Sequence, residues 1–110
     1  MVRVYHDGLC GGSLKSAEHL KKHIAGVKPI EIRINQDGRF HFEFSGTRGE
    51  EMIIILESGL NCGYSGTGPT YSFEILQILG VPEDLASKVY DSSNLLYDFR
   101  IPNKPTVKIS

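Results

Sequence analysis

The stretch 61–70, Asn-Cys-Gly-Tyr-Ser-Gly-Thr-Gly-Pro-Thr, constrains this chain most, because three glycines and a proline separate two strongly apolar segments. The segment before it, Glu51–Glu57, holds the most continuously apolar run in the chain, and segment 71–79 has apolar residues at helical spacing. The pattern predicts a buried strand, a glycine-rich loop and the start of a helix. Such a loop offers consecutive backbone N–H groups near the positive end of a helix dipole, which favours a phosphate or carboxylate ligand.

The first half of the chain predicts a strand, a helix and a hairpin. Residues 2–5 are β-branched, basic or aromatic and indicate a strand, and apolar residues recur at helical spacing over 14–24. Between 28 and 44, isoleucines and phenylalanines alternate with polar residues on both sides of the turn 35–38. This pattern is typical of a β-hairpin with one apolar and one polar face. The expected polar face carries Glu31, Arg33, Arg39, His41 and Glu43.

The second half completes an α+β arrangement. The run 52–56 is apolar without alternation, which predicts a central strand covered on both faces. A short helix is expected over 81–90 and a last strand over 95–101. The tail from about residue 102 contains two prolines and is expected to run along an edge or leave the body. The predicted fold is a compact single α+β domain over 1–110, with a mostly antiparallel sheet and helices packed on one face.

Length and charge narrow the possible functions. A chain of 110 residues fits one domain with a real core. The net charge of −1 gives no global electrostatic reason to expect nucleic-acid binding. No stretch approaches the roughly 20 apolar residues of a membrane span, and no apolar segment of a signal peptide follows the first residues. We therefore expect a cytoplasmic protein with Cys10 and Cys62 as free thiols.

The glycine-rich stretch fails the known phosphate and nucleophile motifs. A Walker A loop needs a lysine followed by serine or threonine after its last glycine, whereas Gly68 is followed by Pro69 and Thr70. The dinucleotide fingerprint and the nucleophile elbow fail on their glycine spacing. No cofactor is therefore predicted, and a generic anion-binding loop remains. The alternative interpretation is a tight loop whose glycines serve positive φ angles or close packing.

The predicted ligand-binding residues are those of the loop and three arginines. Tyr64 or Tyr71 would stack on a base, and arginines would neutralise a phosphate, for which the guanidinium geometry is suited. Cross-strand salt bridges are the alternative interpretation for the charged hairpin face. The full set is Asn61, Cys62, Gly63, Tyr64, Ser65, Gly66, Thr67, Gly68, Thr70, Tyr71, Arg33, Arg39 and Arg48.

Two further groups of residues bear on catalysis and metal binding. Cys10 precedes a helix and could pair with His6 as a nucleophile, but no spacing fixes a base or an oxyanion hole, so an idle thiol in a turn fits better. His19 and His23 lie four residues apart on one helix face, a spacing compatible with zinc. Their neighbours are lysines and no glutamate stands between them, so a solvated helix face is expected and no metal site is predicted.

These observations favour a small non-enzymatic binding protein that holds an anionic, nucleotide-type small molecule through the loop 61–70. The alternative is an inhibitor or immunity-type protein without a small ligand, including a phage-type anti-defence protein, that blocks a protein partner through aromatic and arginine contacts. A third hypothesis is an enzyme that depends on Cys10 or Cys62. A homodimer is expected, because C₂ dimers are the commonest oligomers.

Overall fold

The computed structural model describes residues 1–8 and 12–110, and in them one sheet carries helices on one face. The elements are, in order, β1 (Val2–His6), α1 (Ser13–Ile24), β2 (Lys28–Asn35), β3 (Phe42–Arg48), β4 (Glu51–Glu57), α2 (Thr67–Ile78), α3 (Glu83–Ala86), a 3₁₀ turn (Ser87–Tyr90), β5 (Asn94–Asp98) and β6 (Thr106–Ile109). No helix in these two ranges is long and apolar enough to cross a membrane.

The sheet is mostly antiparallel, which confirms the predicted α+β class. Its strand order is β1-β4-β3-β2-β5-β6. Every neighbouring pair is antiparallel except β1 and β4, which run parallel with Val2 opposite Met52 and His6 opposite Leu56. Because β1 and β4 run the same way, their carboxyl ends meet at the same end of the sheet, and each leads into a helix.

Alternation along the strands builds the core. Successive side chains of a strand point to opposite faces, so every second residue faces the helices. The predicted hairpin pattern is confirmed for the residues nearest the centre of the sheet. The buried side chains on the helix-covered face include Ile32, Ile34, Phe42, Phe44, Ile53, Ile55 and Tyr97, and they form one cluster with Ala17 and Leu20 of α1 and Ile75 and Leu76 of α2.

The prediction that the run 52–56 is covered on both faces was wrong. β4 does lie inside the sheet, between β1 and β3. Ile53 and Ile55 are fully buried beneath the helices, but Ile54 and Leu56 on the other face are only half-buried. An unbroken apolar run is typical of a strand that is covered on both faces. Here the face that carries Ile54 and Leu56 has no described helix over it, and neighbouring side chains of the same sheet shield it in part.

The hairpin loop is longer than the sequence predicted. β3 begins at Phe42, so the expected strand positions Arg39 and His41 lie in the loop 36–41. The backbone N–H of Asn35 donates to the carbonyl of His41 (2.8 Å), and the His41 N–H donates to the carbonyl of Glu57 (3.0 Å). These bonds close a six-residue loop in place of a tight turn.

The C-terminal tail forms a strand of its own. β5 ends at Asp98, earlier than predicted, because its carboxylate accepts the backbone N–H of Arg100 (2.9 Å) and turns the chain. After this turn β6 pairs antiparallel with β5 at the edge of the sheet. Pro102 and Pro105 precede β6, and so short a strand next to prolines gives no clear strand pattern in the sequence.

Candidate functional site

The carboxyl ends of β1 and β4 bring two loop-to-helix connections together. Asp7 follows β1 and Glu57 ends β4, and both side chains are buried. The Asp7 N–H donates to the carbonyl of Leu56 (3.2 Å), so the parallel pairing continues into the first loop. In open α/β sheets, ligands bind beyond the carboxyl ends of parallel strands. This end of the sheet is therefore the candidate position for a ligand.

The start of α2 presents unpaired backbone donors. Gly66 is the N-cap residue in an extended conformation, without a side-chain capping bond, and the first turn contains no acidic residue. The N–H groups of residues 65–68 have no acceptor among the described residues. Backbone donors at a helix start need a side chain, water or ligand as partner. The donors of residues 65–67 lie on exposed or half-buried residues and are thus open to such a partner, whereas Gly68 is buried.

Close packing accounts for two glycines of the loop. The Tyr64 hydroxyl donates to Oδ1 of Asn61 (3.0 Å). A Cβ atom on Gly68 would lie 1.9 Å from that Oδ1 atom, and one on Gly66 would lie 2.6 Å from Cε2 of Tyr64. The alternative interpretation of tight packing therefore holds for both glycines, and it is compatible with the open donors of residues 65–67.

Cys62 and Gly63 serve the framework of the loop. Cys62 is a fully buried free thiol, and burial raises its pKa to about 11, so it stays protonated at neutral pH and has no access to a ligand. Gly63 has a φ of 93°, which disfavours any side chain there, and its N–H donates to the carbonyl of Val89 (2.7 Å). The hypothesis of a cysteine-dependent enzyme finds no support in Cys62.

Thr70 and Tyr71 belong to the first turns of α2. The Thr70 hydroxyl donates to the carbonyl of Gly66 (2.8 Å) and accepts a hydrogen bond from the Tyr90 hydroxyl (3.1 Å). Tyr71 is half-buried against the core, whereas Tyr64 has 43% of its surface exposed. Of the two tyrosines predicted to stack on a base, Tyr64 is the accessible one.

Two of the three predicted arginines lie away from the loop. Arg33 is on the uncovered face of the sheet, with its Nε atom 4.0 Å from a carboxylate oxygen of Glu43. Arg48 contacts Glu51 (3.3 Å) at the start of β4, the opposite end of that strand from the loop. The alternative interpretation of cross-strand salt bridges therefore fits Arg33.

Arg39 lies at the same end of the sheet as the glycine-rich loop. Its guanidinium is 5.9 Å from the ring centroid of Phe40 in the loop 36–41. The same loop touches the glycine-rich loop, since a Cβ atom on Gly63 would lie 2.7 Å from Nε2 of Gln36. Arg39 is thus the predicted arginine whose own loop reaches the site.

Asp7 ties β1, α1 and the loop after β4 into one network that the sequence did not reveal. Its Oδ2 atom accepts the hydroxyl of Ser16 (2.7 Å) and both the N–H (2.7 Å) and the hydroxyl (2.6 Å) of Ser58. Ser16 in turn accepts the N–H of Gly59 (2.9 Å). A Cβ atom on Gly59 would lie 2.7 Å from the carbonyl oxygen of Gly12. The two loops are therefore fixed against each other.

A second buried acid, Glu57, pairs with a histidine of α1. Its Oε2 atom is hydrogen-bonded to Nδ1 of His19. Burial, together with the nearby charge of Asp7, raises the pKa of Glu57 to about 9, and burial lowers the pKa of His19. At neutral pH the pair is therefore electrically neutral, with the acid protonated.

The predicted solvated helix face at His19 and His23 was wrong. His19 contacts the buried Glu57, and the His23 ring stacks on Tyr5 with a centroid separation of 4.0 Å. This side of α1 faces the sheet, so both histidines are half-buried. In the part of the chain that the structure describes, no three His, Cys, Asp or Glu side chains are grouped so that they could hold a metal ion.

Cys10 lies outside the described residues, and with it the hypothesis of a Cys10–His6 pair. His6 itself accepts the N–H of Gly8 at Nδ1 (3.1 Å), and its ring lies 6.0 Å from that of Phe40. These contacts place His6 beside the hairpin loop.

Comparison of the chain with protein-family models, with curated proteins and with solved structures found no match.

Proposed function

We propose that this chain is a small binding protein that holds an anionic, nucleotide-type molecule at the start of α2. The observation that carries the proposal is the run of four N–H groups, residues 65–68, without an acceptor in the described part of the chain. Consecutive N–H groups at a helix start, reinforced by the helix dipole, bind phosphate and carboxylate groups.

Three neighbouring features support this choice of ligand. Neither α1 nor α2 has an acidic residue in its first turn, so no local carboxylate of those turns opposes an anion. Tyr64 lies next to the donors and has 43% of its surface exposed, and a base-stacking residue must be accessible. Arg39 extends from the loop that touches Gly63 and supplies positive charge at the same end of the sheet.

The N–H of Thr67 provides the sharpest test. Proline is well tolerated at the first position of a helix, and extended Gly66 is compatible with a following proline, so Thr67→Pro removes one donor with little effect on folding. Thr67→Ala keeps the N–H and is the matched control. We expect phosphate or adenine nucleotides to stabilise wild type and Thr67→Ala in thermal unfolding, and to bind Thr67→Pro about 10- to 100-fold more weakly, the value of one charge-assisted hydrogen bond.

Two results would overturn the anion-binding function. One is the absence of any thermal shift with a panel of phosphates and nucleotides when the protein is demonstrably folded. The other is equal affinity of Thr67→Pro and Thr67→Ala, because the backbone donor would then contribute nothing to binding.

We further propose a cytoplasmic location. A buried free thiol such as Cys62 is stable in a reducing compartment, where disulfides are rare.

The uncovered face of the sheet favours a second candidate function, in which the protein acts by binding another protein or a second copy of itself. Val2 and Val4 on the edge strand β1 are 61% and 52% exposed. In the parallel register with β4, Val2 is paired with Met52 and Val4 with Ile54, and both partners are half-buried. A continuous apolar patch of this kind is typical of protein contact surfaces.

Self-association gives the first test of that second candidate. If two copies associate through this face, light scattering should report twice the mass of the 12.2 kDa chain at high concentration. Val4→Glu should then restore the single-chain mass, since it buries a charge in the contact. Gln77→Glu adds the same charge at an exposed position of α2 and should leave the dimer intact. A single-chain mass at every concentration would reject the dimer.

A further inference from the structure

Glu57 is an unusual choice for its position. It continues the series of Ile53 and Ile55 on the helix-covered face of β4, and its side chain is fully buried. One carboxyl oxygen bonds His19, but the other, Oε1, has no partner among the described residues. An apolar side chain here would avoid the cost of an unsatisfied buried polar atom. Groups of this kind concentrate at functional sites.

His19 is held with one ring nitrogen inward and the other outward. Nδ1 faces the buried carboxyl of Glu57, and the ring packs edge-on against His23 with centroids 4.6 Å apart. His23 is itself fixed by stacking on Tyr5. The His19 side chain remains 23% exposed. No described residue bonds Nε2, so the ring orientation is set while Nε2 stays open.

We propose that His19 and Glu57 form a proton-transfer dyad, in which Glu57 orients the imidazole and Nε2 of His19 exchanges a proton with a small molecule at the carboxyl ends of β1 and β4. This activity goes beyond anion binding and does not depend on it. An imidazole that is oriented by a carboxyl group is a recurring arrangement in acid–base catalysis. A hydroxyl or carbonyl compound is the class of molecule with which such a nitrogen reacts.

The protons of the dyad can be followed explicitly. In the neutral pair, Oε2–H of Glu57 donates to Nδ1 of His19, and Nε2 carries the second proton and can donate it. When Nε2 gives up that proton, the proton of Glu57 moves to Nδ1, and the carboxylate accepts the Nδ1–H bond. Nε2 then has a free lone pair. The titratable or charged groups around the pair are Asp7, His6 and Tyr5 on the β1 side, Lys22 and His23 on α1, and Arg48 beside His23.

Alkylation by iodoacetamide tests the dyad without any ligand. The Nε2 lone pair displaces iodide and forms a C–N bond, and mass spectrometry measures the rate at each histidine as a function of pH. His41 is an internal control, because its Nδ1 is bonded to the backbone carbonyl of Asn35 (3.1 Å) instead of a carboxyl group. Glu57→Gln keeps the shape of the acid and removes its proton chemistry, and Glu51→Gln removes an outlying carboxylate of the same strand.

We expect the rate profiles of His19 in wild type and Glu57→Gln to cross. Wild-type Nε2 loses its proton only near the raised pKa of Glu57, about 9, whereas the imidazole of the variant titrates nearer the ordinary value of 6.5. The variant should react faster near neutral pH, and the wild type at least about tenfold faster at the alkaline end, where the carboxylate activates the ring. Glu51→Gln should follow the wild type.

Two results would overturn the dyad. Failure of His19 to react while His41 reacts would mean that Nε2 is closed to small molecules. Parallel profiles in wild type and Glu57→Gln would mean that the carboxyl does not control the imidazole. Neither result bears on the donors of residues 65–68, so the dyad and the anion site can fail separately.

Discussion

Replacing Asp7 with alanine is expected to lower the free energy of unfolding by about 3–5 kcal/mol, the range found when one partner of a buried charged network is removed. The carboxylate accepts hydrogen bonds from Ser16 and, twice, from Ser58. Without it, the Ser16 hydroxyl and the Ser58 N–H remain between β1, α1 and the loop after β4 with no charged acceptor. Urea unfolding followed by circular dichroism measures the change as a shift of midpoint.

Two variants separate this effect from the loss of a negative charge in general. Asp7→Asn retains an acceptor oxygen without the charge, so an intermediate loss of about 1–2 kcal/mol is expected. Asp37→Ala removes a carboxylate from the exposed hairpin loop and should change stability by no more than about 0.5 kcal/mol. Equal midpoints for Asp7→Ala and Asp37→Ala would show that the network does not hold the loops together.

The network also limits what Asp7 can do chemically. A carboxylate oxygen that already accepts at least three hydrogen bonds has little capacity left for proton transfer. Glu57 directly precedes Ser58 in the chain. One of its oxygens is bonded to His19 and the other has no partner among the described residues, and burial raises its pKa to about 9, which keeps it neutral. Two buried acids at one end of the sheet therefore differ in their hydrogen bonding: Asp7 holds the framework together, and Glu57 is available for acid–base chemistry.

Local periodicity predicted most of the fold. The helix α1, the hairpin strands and α2 each bury one face, and a repeat of two or 3.6 residues records this directly in the sequence. The open face of β4 and the strand β6 were not predictable in this way. Ile54 is as apolar as Ile53, although only the latter lies under the helices, and β6 gains its partner only from the course of the chain after Asp98.

The candidate site also has a part that the sequence predicted and a part that it did not. The glycine-rich loop was predictable because its composition is unusual within ten residues. The pairs Asp7–Ser58 and His19–Glu57 join residues 51 and 38 positions apart, and they exist because β1 and β4 run parallel. One signal for the second pair was nonetheless in the sequence. Glu57 stands in phase with Ile53 and Ile55, where an apolar residue is expected, and a charge in the buried phase of a strand indicates a special role.

The stability of the wild-type protein is expected to fall by about 1 kcal/mol for each pH unit between about pH 6.5 and pH 9. Burial raises the pKa of Glu57 from 4.5 to about 9. Over this range the folded protein thus retains a proton that the unfolded chain has lost, and stability declines as the pH rises. Below pH 6.5 His19 and His23 act with the opposite sign, because burial lowers the pKa of each and the unfolded chain carries the extra protons. These contributions oppose that of Glu57, so the stability should stop rising as the pH falls further.

Glu57→Gln should remove the decline and leave the protein more stable than wild type by on the order of 3 kcal/mol at about pH 8. The amide oxygen can accept a hydrogen bond from Nδ1–H of His19, and the amide has no proton to lose. Glu51→Gln is the matched control, because the pKa of Glu51 is lowered by Arg3 and its removal cannot flatten a decline above pH 6.5. Urea unfolding at a series of pH values decides the matter, and an unchanged slope in Glu57→Gln would contradict the buried-acid assignment. If Glu57→Gln is more stable than wild type and its His19 is alkylated with a different pH profile, the natural acid lowers the stability of the fold and controls the reactivity of the imidazole.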